Sequence, residues 1–288
     1  GENAVSFDSD PLPQLYKGLI FGIRDYFEKM GFTKAIIGAS GGIDSALVQT
    51  LAVHALGAKN VLAVMMPSRY SSEGSVSHAQ QLSQSLGNEC IQIPIEEVHH
   101  AYENTLSPYF KDLPIGIAEE NLQARSRAVI LMGLSNKLGY ILLNTSNKSE
   151  MAVGYSTLYG DLCGSLSVIG DVYKTQVYAL CQYINRNGEI IPNDIIEKEP
   201  SAELRPEQKD SDSLPAYPIL DGILRLFLEE FKGADEIVME GYDMHTVQRV
   251  LQLVNGSEYK RYQAPPILRV SPKAFGKGRV MPLVAKYP

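Results

Sequence analysis

Six consecutive residues, Ser40-Gly41-Gly42-Ile43-Asp44-Ser45, combine groups that attract an anion with one that repels it. The two glycines allow a tight turn and a close approach of backbone to ligand. Backbone N–H groups at the start of a following helix form an anion pocket, with the helix dipole behind them. Ser40 and Ser45 add hydroxyl donors. Asp44 makes sense beside a phosphate if it holds Mg²⁺, which takes oxygen ligands and bridges to phosphate oxygens. The bland alternative is a plain glycine turn after a strand. Chance would produce the five specified positions in roughly one such chain in a few thousand at average residue usage. No Lys-Ser/Thr follows the glycines and no GxGxxG is present, so the loop is neither a Walker A loop nor a dinucleotide fingerprint.

The elements around this loop must hold it at a strand end. Leu15, Leu19, Ile23 and Phe27 recur every four residues and predict a first helix. Apolar runs predict strands at 35–39, 61–66, 90–95 and 140–144, with helices over 43–56, 74–86, 97–106 and 119–138 between them. Short apolar strands alternating with helices predict an α/β fold, a doubly wound, mostly parallel sheet covered on both faces. Ligands then belong at the carboxyl ends of the strands. The segment Asn144-Thr145-Ser146-Asn147-Lys148-Ser149-Glu150 falls at such an end. Arg125 and Arg127 could each clamp a carboxylate or phosphate in bidentate fashion, or simply face solvent. Helices over 174–186, 219–231 and 243–254 predict a helical C-terminal extension on a single domain rather than a second core. The Pro-, Ser- and acid-rich stretch 198–218 reads as a solvated loop or a mobile lid over a site, and 264–288 as an irregular tail.

Composition excludes several classes. The chain has 288 residues, 44% hydrophobic and 20% charged, with a net charge of −7. That is a globular average, not a disordered or fibrous one. No apolar run of about 18 residues offers a membrane span. The three cysteines form no CxxC pair and the five histidines no metal-binding spacing, which predicts a reducing, cytoplasmic setting and no zinc site. Residues 234–254 have the outline of a helix-turn-helix, but Asp235, Glu236 and Glu240 make it too acidic to face DNA phosphates.

The Ser40–Ser45 loop resembles the pyrophosphate loop of the ATP pyrophosphatases, which include GMP synthetases, asparagine synthetases, tRNA thiolation enzymes and NAD synthetases. The tRNA enzymes usually need a basic surface, often with cysteine pairs, and this chain has neither. Downstream segments are similar to NAD synthetases: Glu120-Asn121-Leu122-Gln123-Ala124-Arg125-Ser126-Arg127, the segment from Asn144 to Glu150, Tyr159-Gly160-Asp161, Gly170-Asp171-Val172-Tyr173-Lys174-Thr175 and Lys198-Glu199-Pro200-Ser201-Ala202-Glu203-Leu204. Gln208 to Pro215 and Ser257 to Pro266 resemble the bacterial glutamine-dependent members, whereas the ammonia-dependent ones usually carry His-Lys at Tyr259-Lys260. The resemblance runs from about Tyr16 to Pro282, with two departures from the ammonia-dependent pattern: Ser165 in place of an aspartate and Met132 in place of an aromatic residue.

The resemblance implies the adenine nucleotide alpha hydrolase-like version of the fold and an ATP-dependent amidation of deamido-NAD to NAD, with AMP and pyrophosphate released. It implies ATP contacts from Gly38, Ala39, Ser40, Gly41, Gly42, Ile43, Asp44, Ser45, Arg69, Thr145, Lys174 and Ser201. Mg²⁺ would lie on Asp44 and Glu150, and deamido-NAD on Tyr26, Asn121, Arg125, Asp161 and Lys260, with Arg125 on the nicotinate carboxylate. Asp44, Asp161 and Lys174 would be catalytic, Asp161 as the base or ammonium site. It further implies a homodimer, no nucleic acid or membrane partner, and an amidase domain with a Glu-Lys-Cys triad that supplies ammonia. The 288 residues match only the synthetase domain, so residues 1–11 are expected to be a tag or linker remnant, with Gly1 an engineered start near the domain junction. Such a domain would use ammonia and not glutamine.

Overall fold

Short apolar strands need cover on both faces, and the chain supplies it by alternating strand with helix. The computed structural model describes residues 11–111 and 113–283. Its first half runs α1 (Pro11–Met30), β1 (Ala35–Gly38), α2 (Ile43–Leu56), β2 (Val61–Met65), α3 (Glu73–Leu86), β3 (Glu89–Gln92), α4 (Glu96–Phe110), α5 (Ile117–Leu138) and β4 (Ile141–Asn144). Then come α6 (Lys148–Val153), β5 (Leu166–Ser167), α7 (Lys174–Asn185), α8 (Asn193–Glu197), α9 (Tyr217–Leu228), α10 (Ala234–Met239), α11 (Met244–Gly256) and α12 (Glu258–Arg261).

The strands form one sheet in the order β3-β2-β1-β4-β5, every neighbour parallel. The chain therefore moves outward from β1 to β3 and then returns to the other side of β1. Loops leaving β1 and β4 diverge, and a crevice opens at their carboxyl ends. Alternation along β1 assigns the two faces. Ala35 and Ile37 pack with Leu19 and Ile23 of α1, Leu47 and Leu51 of α2, and Val177 and Leu180 of α7. Ile36 packs on the opposite face with Leu62, Val64, Leu142 and Leu131 of α5. Because α2 is buried nearly all round, its sequence lacks a polar stripe.

The helical extension has an apolar cluster of its own. Leu220, Ile223, Leu224 and Leu228 of α9 meet Val247, Val250 and Val254 of α11, Ile237 of α10 and Met151 to Val153 of α6. A buried polar network staples this cluster to the sheet. The Lys148 ammonium donates to Glu229 (2.7 Å), Ser271 (2.8 Å) and the Lys273 carbonyl (2.9 Å), and lies 3.0 Å from Asp171. Asp171 in turn accepts from the backbone N–H groups of Val270 and Ser271.

One strand was not expected, and two expectations change. The strand β5 is only two residues long, too short for a periodicity signal. The tail is less irregular than its prolines suggest, since Ile267 bridges β5 in parallel and the Ser167 N–H donates to the Pro266 carbonyl. Of the stretch 1–11, residues 1–10 lie outside the described residues, and Pro11 is already the first residue of α1. Residues 234–254 do form two helices with a turn, but their apolar sides are buried under α9. Among the described residues no helix is long and apolar enough to cross a membrane.

Candidate active site

The Ser40–Ser45 loop joins β1 to α2 at the crevice. Ser40 and Ser45 hydroxyls lie 3.0 Å apart, Ser45 donates to the Gly42 carbonyl, and the Gly42 N–H donates to Ser40. Gly41 has φ 77°, and a Cβ there would lie 2.2 Å from the Ser75 carbonyl oxygen, so no other residue fits without moving α3. Asp44 sits in the first turn of α2.

Opposite it, the start of α6 is set by a capping box. The Asn147 side chain accepts from the Glu150 N–H (3.0 Å), and the Glu150 carboxylate accepts from the Asn147 N–H (3.4 Å). The same Asn147 donates to Asp44 (3.0 Å), which fixes the distance between the two carboxylates. The ammonium of Lys174, first residue of α7, bonds Asp44 and lies 3.5 Å from Glu150. Asp221 of α9 holds that helix start: it accepts from the Thr175 N–H (2.8 Å) and from Ser149, which accepts from the Lys174 N–H (2.9 Å). The extension thus positions the lysine.

Electrostatics follow from this crowding. Burial, then the charge of Asp44, push the Glu150 carboxyl up to about 8. Burial disfavours the charged form of Lys174, but Asp44 and Glu150 outweigh it and raise its pKa. Two carboxylates repelling one another across a cavity wall, with oxygen donors alone, suit a hard divalent cation, so the residues fit Mg²⁺.

These groups face a cavity of about 430 Å³, within the usual range for a small-molecule site. Met65, Met66, Val76, Ala128 and Leu131 give it an apolar side. Residues 154–165 form another wall, gripped from outside. Tyr26 of α1 donates to the Ser165 carbonyl (3.2 Å), Arg125 of α5 to the Leu158 carbonyl (3.2 Å), and Asn144 to the Asp161 carbonyl (2.6 Å). Lys260 donates to the Gly154 and Ser156 carbonyls, each at 2.7 Å. Gly154 ends α6 at φ 69°, where a Cβ would collide with Ser257 at 2.2 Å. Asp161 is exposed at the cavity, and desolvation by the protein packed around it pushes its carboxyl up to about 6, against the Thr157 N–H and the Lys260 charge.

The last wall is the stretch from Lys198 to Asp212. Glu203 is its centre. It accepts from Lys198 (2.7 Å), Ser72 (3.0 Å) and Ser75 (2.9 Å), and Gln123 donates to the neighbouring Leu204 carbonyl (2.8 Å). Burial would raise the Glu203 carboxyl, but these donors hold it below its ordinary value.

A family model described as NAD synthase matches residues 15–264. The chain belongs to the NAD synthase family. It is 48% identical over 287 residues to a glutamine-dependent NAD(+) synthetase of Synechocystis sp., covering all of this chain and 51% of that protein. A Thermotoga maritima protein of the same name is 49% identical over 284 residues, 96% of this chain and 49% of its own. Among solved structures, the glutamine-dependent NAD+ synthetase of Acinetobacter baumannii in complex with ADP matches with a TM-score of 0.67 and 41% identity, over 99% of this chain and 51% of that one. The chain spans about half the length of the curated relatives it matches.

For an NAD synthase fold, the cavity gathers most residues the sequence singles out. Gly38, Ala39, Ser40, Gly42, Ile43, Asp44, Ser45, Asn121, Thr145, Glu150, Asp161, Lys174, Ser201 and Lys260 all line it. Gly41 stands just behind, against Ser75. Three others do not line it either. Arg69 is held by Glu96 (2.8 Å) and Glu103 (3.2 Å) of α4. Tyr26 and Arg125 grip the 154–165 wall from behind. The guanidinium in the cavity belongs to Arg127, which donates to the Met66 carbonyl (3.0 Å) and which burial lowers to about 10. Two residues along a helix turn the side chain by about 200°, so only one of this pair can face inward, and spacing alone does not say which. Met132, one of the two departures, packs against the sheet. Sequence reasoning marked the segments that carry Lys198, Glu203 and Asp210 but gave these three no role, because a loop has no period to read.

Proposed function

We propose that the chain catalyses ATP-dependent amidation of deamido-NAD to NAD, with ammonia as nitrogen source and AMP and pyrophosphate as products. The observation that carries this reading is the Asp44–Lys174–Glu150 cluster beneath the Ser40–Ser45 loop, in a chain of the NAD synthase family. A free carboxylate is a poor acyl donor because oxide would have to leave. In the first step a nicotinate carboxylate oxygen attacks the α-phosphorus of ATP and the α–β bond breaks, releasing pyrophosphate. In the second, ammonia attacks the acyl carbon, AMP leaves with the bridging oxygen, and one proton is lost.

This chain's residues supply positioning and charge, which phosphoryl-type transfers need more than a protein nucleophile. The N–H groups and hydroxyls of Ser40–Ser45 hold the β- and γ-phosphates at the N-terminus of α2. Thr145 and Ser201 donate to ATP, and the apolar side around Met66 and Leu131 takes the purine. Lys174 offsets charge on the leaving pyrophosphate. Asp44 and Glu150 would hold Mg²⁺, which when bound neutralises phosphate charge. Asn121, Asp161 and Lys260 face deamido-NAD, while Tyr26 and Arg125 set the wall that carries Asp161. Ionised at neutral pH, Asp161 can take the proton that ammonium must lose.

A reducing, cytoplasmic setting agrees with three free cysteines among the described residues. Exposed Phe21 on α1 supports the homodimer that the resemblance implies. The names and twofold length of the relatives support an amidase domain in the parent polypeptide as the ammonia supply. The test of the chemistry is isotopic exchange between pyrophosphate and ATP. It should require deamido-NAD and proceed without ammonia. Exchange independent of deamido-NAD, or none, would overturn the adenylate step.

A further inference from the structure

One carboxylate in the cavity is left incomplete. Asp210 starts a short 3-10 turn in the stretch 198–218, is 6% exposed, and lines the cavity. Its N–H donates to the Pro200 carbonyl (3.1 Å), and its carbonyl accepts from the Leu214 N–H (2.9 Å), so its position is fixed. The Tyr217 hydroxyl donates to Oδ2 (2.7 Å). Oδ1 is buried and has no hydrogen-bond partner. The Tyr155 phenol is raised by burial, by the charge of this carboxylate and by hydrogen bonding to it, but its geometry leaves Oδ1 unsatisfied. A buried charge with an idle oxygen is costly unless something in the cavity completes it.

The charges around it say what that is. Glu150 and Lys174 both feel Asp210. Asp44, Glu150 and Asp210 face one ammonium, that of Lys174, and would carry two negative charges more than it offsets once Glu150, which burial and the charges of Asp44 and Asp210 raise, is ionised. The remaining cations are engaged elsewhere: Lys198 with Glu203, Arg127 in the fields of Glu203 and Asp161, and Lys260 in that of Asp161. The deficit matches one divalent cation. Among the described residues no three such side chains converge at coordinating distance on one point. Asp210 therefore acts one layer out. Mg²⁺ retains several of its waters, and those waters need acceptors.

Resting on the functional reading above, we propose that Asp210 is the third acidic group of the divalent-cation site. It accepts hydrogen bonds from the cation's bound water and so ties the seating of the 198–218 stretch to cation binding.

The test uses the whole chain with Mn²⁺ as probe and a non-hydrolysable ATP analogue, free Mn²⁺ being read by electron paramagnetic resonance. Asp210→Asn should weaken Mn²⁺ binding about 10- to 100-fold, the usual effect of losing an outer-shell partner. It should leave cation-free binding of the analogue unchanged, and abolish Mn²⁺-dependent protection of Arg205 and Lys209 from trypsin. Asp210→Glu should restore part of both effects. Mn²⁺ affinity within twofold of the parent in Asp210→Asn, when Asp44→Asn has lost it, would overturn the proposal and leave the functional reading standing. A parent chain that binds no Mn²⁺ with the analogue would bring down both. Should Asp210→Asn fail to fold, Asp210→Glu decides, and loss of trypsin protection at unchanged Mn²⁺ affinity overturns the coupling.

Discussion

The inner and outer walls of the cavity are built in different ways. The inner wall, formed by the loop after β1 and the starts of α6 and α7, is held by backbone geometry: helix caps, a glycine at φ 77°, and N–H groups anchored on Asp221. The outer wall, residues 154–165 and 198–212, carries almost no regular structure and is held by side chains reaching in from α1, α3, α5 and α12. On the proposed reading, a wall fixed by backbone would keep phosphate, cation and lysine in register. A wall fixed by a few side chains can let go, as a site that admits and releases two nucleotides on the proposed reading would require.

If that contrast is right, inner-wall changes should destroy the chemistry and outer-wall changes should mainly alter binding. The largest effect belongs to Asp44→Ala. Removing a charge-organising group at the reacting phosphates should lower AMP formation by roughly 10²–10³-fold or more with the circular dichroism spectrum unchanged. Retained turnover would dismantle the inner wall as described. Gly41→Ala comes next. The left-handed backbone alone costs about 1–2 kcal/mol for a residue with a Cβ, and the clash with Ser75 adds to it, so both melting temperature and kcat should fall. A variant with parental kcat would show that the loop is not held against α3.

Asp161 tests the outer wall through pH. Its carboxyl titrates at about 6, above its ordinary value, so the base form is lost as pH falls through that region. Amidation should decline on the acid side with a midpoint near 6, and Asp161→Asn should lower the rate and flatten that limb. An unchanged acid limb would take Asp161 out of proton transfer. Glu203→Gln should act on binding. Its bonds to Lys198, Ser72 and Ser75 are partly exposed, which limits their worth to about 1–2 kcal/mol. The expected outcome is a several-fold rise in KM for ATP and faster trypsin cleavage near Arg205, with kcat little changed. A fall in kcat alone would make Glu203 part of the inner machinery. The smallest effect is Arg69→Ala, because that guanidinium is engaged by Glu96 and Glu103. KM for ATP should move by less than about twofold, and a tenfold rise would return Arg69 to the nucleotide.

The same contrast explains what could be read from the sequence. The inner wall was legible because Ser40 to Ser45 and Asn144 to Glu150 sit where apolar strands end, and strand ends are where parallel sheets bind ligands. The ends expected for helix α2 are the observed ones because Gly42 and Gly57 bound a largely apolar run. The outer wall was legible only in part: Asp161 and Ser201 stood out, but the contacts that hold the wall did not. Glu203 and Lys198 meet through a loop, and the partners of Glu203 on α3 lie more than 120 residues away in sequence. Arg127 was hidden behind Arg125 by helical phase. The two-residue strand β5 and the bridge to Ile267 depend on a sheet edge that only the assembled fold supplies.

The most direct measurement incubates the chain with Mg-ATP and deamido-NAD, and in turn with ammonia or glutamine, while AMP and NAD are followed together. The account predicts equal amounts of AMP and NAD with ammonia and none above background with glutamine. Absence of AMP with ammonia, or AMP formed only when XMP replaces deamido-NAD, would contradict it.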